Sequence, residues 1–276
     1  MKSEDIPKPP KLTFRAEFTA YSSAFISIGI LPMVQLIVPL WCLVSLGMSA
    51  TMIGIAAGAR SFLAAIFSIH SGAVLDRLGV RRVMIWCTVT GIAMTLVYPL
   101  VPAITSLILL QLILIIILQL ITGFLHTIGW IGCQTQLGQL TKGSPKHMGR
   151  FTSVSNFANF FTPPLAGWAW DIGQATPLGG AWSAFGIIAV CNVALWISVA
   201  LMPVPDSVTV SKERPRLRAL LPSFLDYKEA FRLFLIPSVA FVVMASLFMN
   251  GLIPVSYTHL RAHETRHDLV CRLLLE

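Results

Sequence analysis

Long apolar stretches without a single charge alternate with short charged segments along this chain. No Lys, Arg, Asp or Glu occurs from Phe18 to Ala59, Val83 to Thr141, Phe151 to Trp170, Ile172 to Pro205, or Leu233 to Leu260. A hydrocarbon layer about 30 Å thick takes roughly 20 helical residues to cross, so each stretch holds one or two membrane spans. Seven are predicted: Phe18–Leu46, Met52–His70, Val83–Val101, Thr105–Trp130 (with helix continuing toward Leu140), Phe151–Trp170, Ala181–Met202 and Leu233–Pro254. Prolines inside them, such as Pro32, Pro39, Pro163 and Pro164, are tolerable because neighbouring helices re-satisfy the freed backbone groups.

The basic residues set the orientation. Lys2, Lys8, Lys11 and Arg15 precede the first span; Arg77, Arg81 and Arg82 follow the second; Lys142, Lys146 and Arg150 follow the fourth; Lys212, Arg214, Arg216, Arg218, Lys228 and Arg232 follow the sixth. All fall on one side. The loops on the other side, before Met52, around Pro102 and around Gly173, hold none. The positive-inside rule then places the N-terminus in the cytoplasm, as a multi-pass protein of the cell or inner membrane.

Composition agrees. The chain is 55% hydrophobic and 12% charged, about half the charge of a soluble domain. Its net charge of +8 sits in short loops between spans, so it reads as topology rather than a nucleic-acid surface. Cys42, Cys87, Cys133, Cys191 and Cys271 follow no metal or disulfide spacing. No cofactor is implied, and no cleavable signal is visible. Five segments result: a cytoplasmic N-terminus (1–17), a six-span unit (18–202), a cytoplasmic linker (203–232), a seventh span (233–254) and a tail (255–276). The end of the linker, Leu217–Phe231, mixes apolar and charged residues as a surface-lying helix does.

A faint internal repeat accompanies this. Gly72–Gly79 reads Gly-Ala-Val-Leu-Asp-Arg-Leu-Gly, and Gly167–Gly173 reads Gly-Trp-Ala-Trp-Asp-Ile-Gly. Each follows the second span of a three-span set, one inside and one outside, as inverted three-plus-three repeats do. Coincidence between two short Gly/Asp segments explains it equally well.

The segment after the second span, Ser71 to Arg82, carries the most specific motif. Gly72, Asp76, Arg77, Gly79 and Arg81 match the Gly-x-Leu-Ala-Asp-Arg-x-Gly-Arg-Lys pattern between the second and third helices of the major facilitator superfamily. Val74, Leu75 and Val80 depart from it. The resemblance spans Phe18 to about Pro254 and implies an all-α membrane bundle: a six-helix N-terminal half plus one helix of a second half. It implies transport of a small solute by alternating access, secondary active or facilitative, with no enzymatic chemistry. It also implies that Gly72, Asp76, Arg77, Gly79, Arg81 and Arg82 form a latch closing the cytoplasmic side. Gly72 would let helices approach, Asp76 would pair with an Arg and a helix N-terminus across the interface, and Gly79 would make the turn. The alternative is a basic loop serving topology alone. On the fourth span, Gln119 stands where some members carry a proton-coupling Arg ahead of Gly123. Pro163–Gly167 resembles the antiporter pattern of the fifth helix only loosely.

Arg60 is the most informative single position. It lies about 12 Å into the second span at 1.5 Å per residue, where a charge is costly and points to function. Three readings stand: it binds an anionic substrate group, it pairs with an acid of another helix, or it snorkels. Gly54 and Gly58 beside it suggest close packing. Gln111, Gln119, Thr122 and His126 form a polar stripe on the fourth span, lining a cavity or merely bonding other helices. Among Tyr21, Gln35 and Trp41 of the first span, Gln35 is the cavity candidate. No Asp or Glu lies inside any span, which argues against a proton relay within this chain.

From about Ser256 the character changes. His259, His263 and His267 at i, i+4, i+8 suggest a metal site, but the segment to Glu276 resembles translated sequencing-adapter read-through. It would also put Arg261, Arg266 and Arg272 outside. The expectation is a chain cut short after its seventh helix, inactive alone and lacking the partner half. Two other classes were weighed. A seven-helix receptor or retinal protein has its N-terminus outside, and a multi-pass enzyme needs clustered Asp, His or Glu at the membrane surface.

Overall fold

The computed structural model describes residues 12–177 and 179–203, with the side chains of 64–70 and 73 excepted. The linker beyond Pro203, the seventh span and the tail lie outside the described residues. Six long helices follow one another: α1 (Phe14–Val44), α2 (Ala50–Leu78), α3 (Val80–Ile104, with a 3-10 turn at Tyr98–Leu100), α4 (Ile108–Thr141), α5 (Pro145–Gln174) and α6 (Gly179–Leu201). No strand occurs among the described residues. Four of the six, α1, α3, α4 and α6, are long and apolar enough to cross a membrane; α2 is so only over Ala50–Leu63, and α5 is more polar.

Local chemistry sets the ends. Thr13 caps α1, its Oγ1 accepting from Ala16 N–H at 3.3 Å, and Ser49 caps α2 the same way through Met52 N–H at 3.4 Å. Pro99 and Pro102 tighten the end of α3, and Gln111 Nε2 donates to Thr105 O at 2.8 Å across the turn into α4. α4 ends on Lys142 at φ 51° and Gly143 at φ 72°, after which Pro145 starts α5, where no backbone donor is needed.

The second helix runs further than the charge pattern predicts. Ser71–Leu78 are helical, so Gly72, Asp76 and Arg77 of the motif occupy the last two turns of α2 rather than a loop, and Arg81 and Arg82 lie in the first turn of α3. Nothing in that stretch demands a break until Gly79, whose φ of 85° ends α2 and opens α3 at once. Gly167–Gly173 is likewise the end of α5, not a turn. Both segments therefore sit in the final turns of the second helix of their set.

Packing follows the same twofold scheme. α4 packs chiefly on α2 and α1 chiefly on α5, while α3 and α6 pack on each other; α4 also touches α3, as α1 touches α6. Exchanging helices 1–3 for 4–6 reproduces these pairings, but not the extensive α5–α6 contact, whose counterpart α2–α3 is slight, so the repeat is only partial. Apolar burial gives little drive between helices in lipid, so contact depends on small residues. A glycine marks each main crossing. A Cβ on Gly29 of α1 would lie 2.6 Å from Thr162 Cγ2 of α5; one on Gly91 of α3 would lie 3.0 Å from Asn192 Oδ1 of α6; one on Gly123 of α4 would strike the backbone of Arg60 in α2. Gly54 and Gly58 do not serve this way. Both are exposed, with nothing described within 4 Å of an added Cβ. The Arg60 face of α2 turns inward instead, and takes the close approach from Gly123.

Candidate functional site

Arg60 is buried at 5% exposure, with α4 pressed against its backbone. It does not snorkel. Its Nη1 donates to Gln119 Oε1 and to Thr122 Oγ1, each at 3.4 Å, the long end of hydrogen-bond range. Its Nε is buried with no partner. Tyr98, at the end of α3, donates to the same Gln119 Oε1 at 3.0 Å and meets Thr122 Oγ1 at 3.2 Å. The Tyr98 ring is fixed by Phe185 of α6, stacked 4.9 Å away at 3°, and by the edge of Trp41 of α1 at 6.2 Å. An aromatic cluster from three helices thus positions the hydroxyl that orders the oxygens facing Arg60.

Beside this group lies a cavity of about 50 Å³, walled by Arg60 of α2, Thr122 and His126 of α4, Thr88, Thr95 and Tyr98 of α3, Asn192 of α6 and Ser27 of α1. Among the described residues, no Asp or Glu lines it. The volume holds roughly four waters at 10–15 Å³ each, well short of a full substrate pocket of about 300–1,000 Å³.

The structure divides the polar stripe of α4. Gln119 and Thr122 hold Arg60, His126 lines the cavity, and Gln111 closes the α3–α4 turn. On α1 the cavity wall is Ser27, Ile30 and Val34; Gln35 is half-buried and outside it. Trp41 belongs to the aromatic cluster, and Tyr21 bonds His147 Nδ1 of α5 at 2.8 Å. Sequence reasoning missed Tyr98, Asn192, Thr88 and Thr95. A lone Asn in the apolar run of α6 was the available signal; the threonines gave none.

At the charged end of the bundle, side chains of three helices converge on the last carbonyls of α6. Arg15 Nε donates to Leu201 O at 3.1 Å, Arg81 Nη2 donates to Ala200 O, and Gln136 Nε2 donates to Pro203 O at 3.4 Å. Cations there complement the helix dipole. Arg81 therefore bonds within its own six-helix unit through Nη2, while its Nε is buried without a partner among the described residues. Asp76 and Arg82 are exposed and Arg77 is half-exposed. Space beside Gly72 is open among the described residues, so the close approach expected there is not made by them. Among the described residues, no group of three or more His, Cys, Asp or Glu is placed to hold a metal.

Compared with known proteins, the chain matches the family model described as Major Facilitator Superfamily over residues 18–267. That match covers the six helices and runs past Ser256. No curated protein and no solved structure matches.

Proposed function

The chain belongs to the major facilitator superfamily, a family of membrane transporters, and on that premise we propose that it supplies one half of an alternating-access carrier for a small solute. The observation that carries this reading is the Arg60 cavity. A buried, incompletely bonded cation stands among hydroxyls and an amide from α1, α3, α4 and α6, inside a six-helix unit. Carriers of this design bind their solute near the midplane and rock their halves about it. In this reading the six-helix unit alone would not transport.

The N-terminus lies in the cytoplasm in this reading. The ends of α1, α3, α5 and α6 that meet through Arg15, Arg81 and the Tyr21–His147 pair carry the basic residues, which favours the cytoplasmic face. Asp76, exposed at the end of α2, is the latch group that would engage the other half, with Arg77 and Arg82 beside it. Gly79 sets the joint, and Arg81 anchors the motif to α6.

Two measurements test the proposal. The intact gene product in proteoliposomes is expected to take up a labelled small solute, and Asp76→Asn to slow uptake about tenfold, equivalent to 1.4 kcal/mol of lost coupling. A reporter fused at residue 1 is expected inside the cell; a reporter facing outward overturns the topology and the carrier reading with it.

A further inference from the structure

We infer that the Arg60 cavity binds a carboxylate group borne by the transported solute. The inference rests on the carrier reading for the word "transported", but not for the binding site itself.

The argument starts from what Arg60 lacks. A guanidinium carries five N–H donors and no acceptor, and burying it without an anion costs several kcal/mol. Arg60 is at least nine-tenths buried, and among the described residues its Nε has no partner and its Nη1 reaches two neutral oxygens at 3.4 Å. No carboxylate lines the cavity among the described residues. Sites that bury a cation this way are unfinished until an anion arrives.

The chemistry of the walls narrows the anion. Arg60 is the one permanent cation among the described lining residues, so one negative charge balances it and a dianion would leave an excess charge in a low-dielectric site. A guanidinium edge matches the planar fork of a carboxylate in two parallel bonds. A cavity of about 50 Å³ suits a carboxylate headgroup and a few waters. The Tyr98 and Thr122 hydroxyls stand beside it with their protons already given to Gln119 Oε1 and Leu118 O, so the donors for the carboxylate are those of Arg60.

The competing arrangement is an acid from the second half paired permanently with Arg60. The two differ in what free carboxylates do. Purified intact protein in detergent is heated with formate, lactate or benzoate, each compared with its neutral amide (formamide, lactamide, benzamide) and with inorganic phosphate. At least one carboxylate is expected to raise the melting temperature while its amide does not. Arg60→Gln is expected to weaken that carboxylate by at least about 30-fold, the loss of one partner from a buried charge pair; Arg60→Lys, without the fork, is expected to recover only part. Carboxylates with no effect, or with equal effect on Arg60→Gln, overturn the inference, as does stabilisation by phosphate alone. Uptake in proteoliposomes separates the two claims. Carboxylate binding without uptake of any solute removes the carrier reading and leaves the site. Uptake of a neutral solute by a protein blind to carboxylates does the reverse.

Discussion

Replacing Gly123 by Ala asks how much the Arg60 site depends on one hydrogen atom's worth of space. The added Cβ would meet the Arg60 carbonyl oxygen head-on, sit 2.8 Å from its carbonyl carbon and 2.9 Å from its Cγ. Ordinary carbon contacts lie at about 3.5 Å or more, so α2 and α4 must part by at least about 0.7 Å. The obstacle is backbone and cannot swing aside. Overpacking alone costs about 1–3 kcal/mol. Parting the helices also stretches the two Arg60 Nη1 bonds, already 3.4 Å long, beyond useful range. A total loss of about 2–4 kcal/mol follows. By soluble-domain scaling this lowers the melting temperature by roughly 5–15 °C, read by circular dichroism in detergent. Two controls frame the result. Gly132→Ala crowds the Met84 side chain, Cγ at 2.7 Å and Sδ at 2.9 Å, which a flexible thioether can vacate, and touches Leu75 Cδ2 at an ordinary 3.6 Å. Gly58→Ala enters open space and gains helix propensity of up to about 1 kcal/mol. The expected order of stability is Gly58→Ala, then Gly132→Ala, then Gly123→Ala well below. A Gly123→Ala protein that melts with the Gly58→Ala protein refutes the packing argument.

Three further outcomes are expected. Tyr98→Phe keeps the stack on Phe185 but removes the hydroxyl shared by Gln119 and Thr122; it should cost about 0.5–1.5 kcal/mol in thermal unfolding and weaken any ligand of the Arg60 cavity without abolishing it. Thr162→Val keeps the shape at the α1–α5 crossing and loses the 2.8 Å bond to Gly29 O; the loss should be about 0.6 kcal/mol and no more than about 1.7, measured by the same melt. Arg15→Gln removes an exposed cation from the end of α6; its cost should be about 0.3–1 kcal/mol at low ionic strength and vanish in high salt, so a salt-independent loss would mean that Arg15 acts through packing.

The helices were legible because lipid imposes a length and forbids charge. Six of the seven predicted spans overlie described helices, and the basic residues marked the end at which α1, α3 and α6 come together. The ends were less legible. Arg77 and Asp76 look like loop residues by charge, yet a helix can carry charged turns out of the apolar layer when nothing breaks it before Gly79. Facing was the least legible. In water the polar side of a helix announces which side is out, but α1 and α6 are apolar nearly all round and only the stripe of Gln119, Thr122 and His126 on α4 told neighbour from lipid. Gly54 and Gly58 therefore suggested an interface that the described residues do not form, while Gly123, a single glycine with no partner motif, makes the tightest crossing. Arg60 stood out in the sequence because the cost of a charge within a span is independent of facing. Thr88 and Thr95 were not, since a threonine can satisfy its own helix: Thr88 Oγ1 donates to Ile85 O at 2.9 Å and Thr95 Oγ1 to Gly91 O at 2.7 Å.

The three donors gathered at the end of α6 have a mechanical side. Arg15, Arg81 and Gln136 root the last carbonyls of α6 in α1, α3 and α4 just where the chain leaves the bundle. Fraying of the last turn of α6 must then break bonds to three other helices as well as its own ladder.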